Sequence, residues 1–132
     1  MLKQRTMMTS LSTPRYIDDV ALKQLQNIAE RAMPREAGGF LYPAPWQGQW
    51  VAKLTNTAGS NDTMHFDRDE FIELGMQYLD AFPQYTWSSL TVWHSHPGGN
   101  IGPSRRDMRN RIEQMGNLVV ALNNGEIIPT WY

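Results

Sequence analysis

His94-Ser95-His96-Pro97, followed after six residues by Ser104-Arg105-Arg106-Asp107, is the stretch on which the reading of this chain turns. It holds two of the chain's three histidines, at i and i+2. On an extended strand those positions point to one face, so both imidazoles can converge on a single ion. Asp107, eleven residues beyond His96, can return through a loop and supply a carboxylate. Two His nitrogens, one carboxylate oxygen and an open fourth position make a catalytic rather than a structural zinc site. The pattern points to an enzyme.

Working outward, Leu90 to Ser95 reads as the central strand, broken by Pro97-Gly98-Gly99. A helix is predicted from about Ser104 to Met115, with Met108, Ile112 and Met115 on one face. Ser104 followed by an acid three residues on is also a helix-start signature. The two readings are compatible, because a helix N-terminus would hold Asp107 near the ion and favour developing negative charge. Leu118 to Leu122 and Glu126 to Trp131 form a closing hairpin across Asn123-Asn124-Gly125, with Pro129 marking an edge strand. Upstream, Ile17, Val20, Leu25, Ile28, Ala29 and Ala32 recur at helical spacing, giving a helix from about Asp18, its N-cap, to Ala32, closed by Pro34. Phe40 to Tyr42 and Trp50 to Thr55 pair antiparallel, and Asn56 to His65 is a polar loop. Asp67 to Glu70 reads as a capping box opening a helix that buries Phe71, Leu74, Tyr78 and Phe82 and ends at Pro83. Helices mix with antiparallel-capable strands without a βαβ rhythm, so the class is α+β.

With 132 residues, 41% hydrophobic, the chain is long enough for one domain with a real core. Residues 16–132 are assigned to that domain and 1–15 to a flexible N-terminal arm. A formal net charge of −1 argues against a broad nucleic-acid or anionic-membrane surface. The absence of cysteine excludes thiol catalysis, disulfides and Cys-rich zinc sites. No apolar h-region and no 18-residue apolar run is present, so neither a signal peptide nor a membrane span is expected. The expected location is the cytoplasm, with a phage virion as the alternative. Trp87 and Trp93 read as aromatic core, His65 as a histidine without a functional role, and Arg105, Arg106, Arg109 and Arg111 as a solvated helix face, with contact of Arg105 or Arg106 to an anionic substrate segment as the lesser alternative.

His94-x-His96-Pro97-x6-Ser104-x-x-Asp107, with Glu36 upstream in Pro34-Arg35-Glu36-Ala37-Gly38-Gly39-Phe40-Leu41, resembles the JAMM (MPN-plus, or JAB-domain) metalloproteases, in their short prokaryotic or phage form. The likeness runs from about Tyr16 to Tyr132, with Gly38 standing where many relatives carry cysteine. It implies a curved mixed β-sheet flanked by helices, the JAMM/MPN (cytidine-deaminase-like) architecture. It implies one Zn2+ per chain on His94, His96 and Asp107, Glu36 as general base and acid, and Ser104 as donor to the oxyanion. The implied activity is a peptidase or isopeptidase acting after the flexible C-terminal tail of a ubiquitin-like or sulfur-carrier protein. From the local sequence alone Glu36 reads only as a solvated helix-end carboxylate. The alternatives are a phage tail-assembly JAB-domain protein and a non-catalytic MPN scaffold. The oligomeric state is not legible in the sequence.

Overall fold

The structure, a computed structural model, describes residues 16–132; the N-terminal arm assigned to 1–15 lies outside the described residues. Helix α1 spans Asp19–Ala32, and the Asp18 carboxylate caps it by accepting the Ala21 amide at 2.7 Å. Its buried stripe is Ala21, Leu25 and Ala29, at i, i+4 and i+8. Strands β1 (Gly38–Pro43) and β2 (Gln49–Leu54) form the first hairpin, and α2 covers Arg68–Ala81. A short 3-10 turn at Trp87–Ser89 leads into β3 (Thr91–His96). Helix α3 (Arg105–Arg109), β4 (Gly116–Asn123) and β5 (Glu126–Trp131) complete the chain.

The strands lie in the order β2-β1-β3-β4-β5. All neighbours are antiparallel except β3 and β4, which run parallel. The fold is therefore α+β with a mixed open sheet, as the sequence reading has it. A parallel pair needs a crossover, and residues 97–115 supply it with α3 inside. Strand alternation sorts the two cores. Leu41, Trp93, Leu118 and Val120 pack with Leu25 of α1, whereas Phe40, Tyr42 and Val92 pack with Tyr78 of α2. The β4–β5 turn places Asn124 (φ 54°) and Gly125 (φ 81°) in the left-handed region that a two-residue hairpin of this kind requires.

Two expectations are corrected. Helix α3 stops at Arg109 instead of running to Met115, because a buried amide captures the next segment. Asn117 accepts the Ile112 amide at 3.0 Å and donates to the carbonyls of Ile112 (2.8 Å) and Met115 (3.0 Å). Those backbone groups are thus taken from helical bonding, and Met108 is left half-exposed. The capping box of α2 forms only in part. Asp67 accepts the Glu70 amide at 2.9 Å, but the Glu70 carboxylate takes the amide and hydroxyl of Thr55 instead of reaching back.

Gly75 sits in the middle of α2, where glycine costs about 1 kcal/mol relative to alanine. The reason is Trp87, whose Cη2 would lie 2.2 Å from a Cβ at that position. Trp87 stacks parallel on Phe71 at 6.0 Å and lies 6.4 Å from the Phe40 ring. Gly75→Ala is therefore expected to lower stability by about 1–3 kcal/mol despite its better helix propensity. Urea unfolding decides it, and a variant as stable as the parent would contradict this packing.

Candidate metal centre

β3 sends Val92, His94 and His96 toward the α2 side of the sheet, and α3 brings Asp107 up to meet the two histidines. Both Nε2 atoms lie 3.1 Å from Asp107 Oδ2. The three ligand atoms all fall within 4.8 Å of one another, so the group can hold a metal ion. His96 Nδ1 faces the Asn100 carbonyl at 2.9 Å, which selects the tautomer with the proton on Nδ1. Its Nε2 lone pair then points at a carboxylate oxygen. Two acceptors at that distance need a cation between them, either a proton or a metal. The proton solution appears as a His96 pKa raised above 6.5, first through the Asp107 hydrogen bond. His94 Nε2 is buried and close to the same oxygen, yet without the alignment of a hydrogen bond. A buried nitrogen left unpaired beside a carboxylate fits a shared cation.

Asp107 is held as an anion. Burial works against its charge, but the facing His94 and His96 imidazoles, with the Ser104 amide, keep the carboxyl well below the usual carboxylate range. Ser104 and Asp107 cap α3 reciprocally. The Ser104 hydroxyl oxygen accepts the Asp107 amide at 3.0 Å, and the Ser104 amide donates to Asp107 Oδ2 at 2.9 Å. Capping uses a lone pair of the hydroxyl and leaves its proton available.

Glu36 is buried, at 7% exposure, and is not the solvated carboxylate that local sequence suggests. Burial raises its pKa; the two histidines oppose the rise and Asp107 reinforces it. Two clamps hold its backbone. Next to it, the Ala37 amide donates to Ser95 Oγ and the Ser95 amide to the Ala37 carbonyl, both at 2.8 Å. On the other side, Asn56 Nδ2 donates to the Glu36 carbonyl at 2.9 Å. The same Asn56 amide organises the loop beyond it, donating to Thr63 and accepting from Ala58 and His65. Arg35 ties the loop from below through the carbonyls of Ala58 and Asn56.

His94, His96, Asp107, Glu36 and Ser104 all line one open cleft of about 1090 Å³. Sequence reading missed Asn56, Ser95 and Tyr132 at this site. The Tyr132 ring stands edge-on to His94 at 6.3 Å, and burial, with the charges of Asp107 and Glu36, raises its phenol pKa. No spacing signal marks these three, because their partners are set across the sheet. His65 is exposed on the cleft wall, Trp93 is fully buried, and Trp87 packs on the α2 core. Gly38 packs too: a Cβ there would lie 2.7 Å from the Trp93 carbonyl and 3.0 Å from Met64 and Phe66.

Fold and site together define an α+β domain whose mixed sheet carries a ligand set able to hold a metal ion. The family described as prokaryotic homologs of the JAB domain matches residues 19–131, and the chain belongs to it. Among solved structures, protein DSY2949 from Desulfitobacterium hafniense is similar at 21% identity with a TM-score of 0.63, over 90% of this chain and 81% of that one. A protein from Salinibacter ruber matches at 17% identity and TM-score 0.49, over 92% and 80%. The first likeness supports the fold. No curated protein matches the chain in sequence.

Removing either clamp should loosen the site without touching a ligand. Ser95→Ala orphans the buried Ala37 amide, and Asn56→Ala frees the Glu36 carbonyl together with the loop. Each is expected to cost about 1–3 kcal/mol, read by chemical unfolding, with faster amide exchange at Ala37 or at Ala58 and His65 respectively. Unchanged exchange in both variants would remove the clamps from the account.

Proposed function

We propose that this protein is a zinc-dependent peptidase or isopeptidase. The observation that carries the reading is the convergence of His94, His96 and Asp107 beside a buried Glu36 in one open cleft. Two imidazoles and one carboxylate are the donor set of a catalytic zinc site, with a position left for substrate. When bound, zinc supplies Lewis acidity toward a carbonyl and toward water.

The remaining work falls to the chain. Glu36, whose pKa burial raises, takes a proton from the attacking water and returns it to the leaving amine. The Ser104 hydroxyl, its lone pair engaged by the Asp107 amide, donates its proton to the developing oxyanion. Asn56 and Ser95 hold Glu36 in place while Asn100 orients His96. The cleft, at about 1090 Å³, lies at the upper end of small-molecule sites and is open to solvent, which suits a polypeptide segment. The substrate we favour is the C-terminal tail of a ubiquitin-like or sulfur-carrier protein, lying as an added strand. A purely scaffolding role would leave this complete and costly ligand set without a purpose.

The protein is expected to bind about one zinc per chain, lost with chelator and largely lost in His94→Ala, His96→Ala or Asp107→Ala. Elemental analysis after zinc addition tests this, and a chain that stays metal-free would sink the zinc assignment. Glu36→Gln should keep the zinc and lose at least ~10²-fold in kcat on a ubiquitin-like or sulfur-carrier fusion. Ser104→Ala should lose a comparable ~10²-fold if its proton reaches the oxyanion. As a cap alone it would cost about 1 kcal/mol of stability and leave kcat intact. Wild-type turnover in Glu36→Gln would return that residue to a structural role.

A further inference from the structure

Four of the chain's twelve Lys and Arg residues fall within Arg105–Arg111. On the long helix predicted from sequence they would form a solvated face. The structure shortens that helix to Arg105–Arg109, because Asn117 captures the backbone from Ile112 onward. Arg105, Arg106 and Arg109 lie within the helix that remains and line the cleft that the metal ligands also line. Arg105 and Arg109 are four residues apart and so share one face of α3.

Among the described residues the only ion pairs within 4.0 Å are those of His94 and His96 with Asp107. The acids of the cleft are already engaged. Glu36 and Asp107 face the histidines, and Asp62 accepts hydrogen bonds from the Ser60 and Thr63 hydroxyls with Arg106 nearby. Arg106 is further tied by its hydrogen bond to Thr63 Oγ1 at 2.9 Å across the cleft. That leaves Arg105 and Arg109 exposed on the cleft lining with no ion pair among the described residues. Ile101, 60% exposed, adds an apolar contact on the same rim. In a chain whose net charge is −1, this is a local cationic wall and not a generally basic surface.

We infer that Arg105 and Arg109 form a subsite for an acidic segment of the polypeptide substrate, within a few residues of the scissile bond. The inference rests on the reading of the cleft as a polypeptide site. An extended chain advances ~3.3 Å per residue, so an Asp or Glu two to four residues from the reacting carbonyl falls within the wall's reach. The guanidinium forks suit carboxylates in geometry as well as charge.

The test measures binding, so it does not depend on turnover. Zinc-supplemented Glu36→Gln protein is titrated into labelled peptides of identical core, flanked by Asp/Glu, by Ser/Asn or by Lys. The acidic peptide should bind ~10-fold tighter than the basic one at low ionic strength, with the preference shrinking as salt is raised. Arg105→Gln/Arg109→Gln should abolish the preference, and Arg105→Glu/Arg109→Glu should invert it. Arg106 is left intact, and circular dichroism with zinc content verifies that the variants are folded. Equal binding of the three peptides, no measurable binding of the acidic one, or a preference that survives the arginine changes overturns the subsite. Tighter binding of a single-stranded oligothymidine through the same arginines also overturns it, in favour of nucleic acid. If the acidic peptide binds through these arginines but the wild-type protein cleaves nothing, the subsite stands and the peptidase reading fails.

Discussion

Ser95 and Ala37 exchange two hydrogen bonds at 2.8 Å across the β1–β3 junction, and the site depends on the register they extend. With Gly38 opposite His94, the ligands face the α2 side and Trp93 faces α1. A slip by one residue would exchange the faces, burying the imidazoles under α1 and turning the indole into the cleft. The serine between the two histidines is therefore structural. Its side chain points away from the metal ligands and fixes the amide next to Glu36, which brings a residue fifty-eight positions upstream of His94 to the same face.

At the ligand cluster, electrostatics and packing work against one another. His96 Nε2 and Asp107 Oδ2 present two acceptors to one point, and Glu36 is a third polar group buried nearby. Such a cluster is unfavourable in the absence of a cation, so the surrounding bonds must hold it together. Asn100 fixes one ring, the Ser104 cap fixes the carboxylate, and Asn56 fixes the Glu36 backbone. These supports come from loops, and the loops are in turn anchored to regular structure. Asn123 at the end of β4 holds the Gly99 carbonyl, and Asn117 at its start holds the segment after α3. Side-chain amides, each offering donors and an acceptor, do most of this bracing.

Membership of the prokaryotic JAB homologs places the chain in a family that includes hydrolases. Within that frame the cleft's particular features are its own. A short α3 sets its arginines at the rim, and the 56–65 loop forms the facing wall, joined to α3 by the Arg106–Thr63 bond. No helix among the described residues is long and apolar enough to cross a membrane.

Much of this was legible in the sequence, because local rules govern it. Asp18 as N-cap, the Asn124-Gly125 turn, the alternation of β3 and the i, i+2 histidines follow from spacing and conformational preference alone. The α+β class followed from the mixture of those elements. Tertiary structure alone decided the rest. Helix periodicity continues past Arg109, but Asn117 offered Ile112 and Met115 better-placed partners than the next helical turn, and nothing near Ile112 announces that competitor. Glu70 turned to Thr55 in place of its own helix start for the same reason. Glu36 reads as a solvated carboxylate until β1 is laid beside β3, where burial and the histidines give it a different environment. Hydrogen-bond partners and burial are properties of the assembled sheet, whereas periodicity and turn chemistry belong to the chain before it folds.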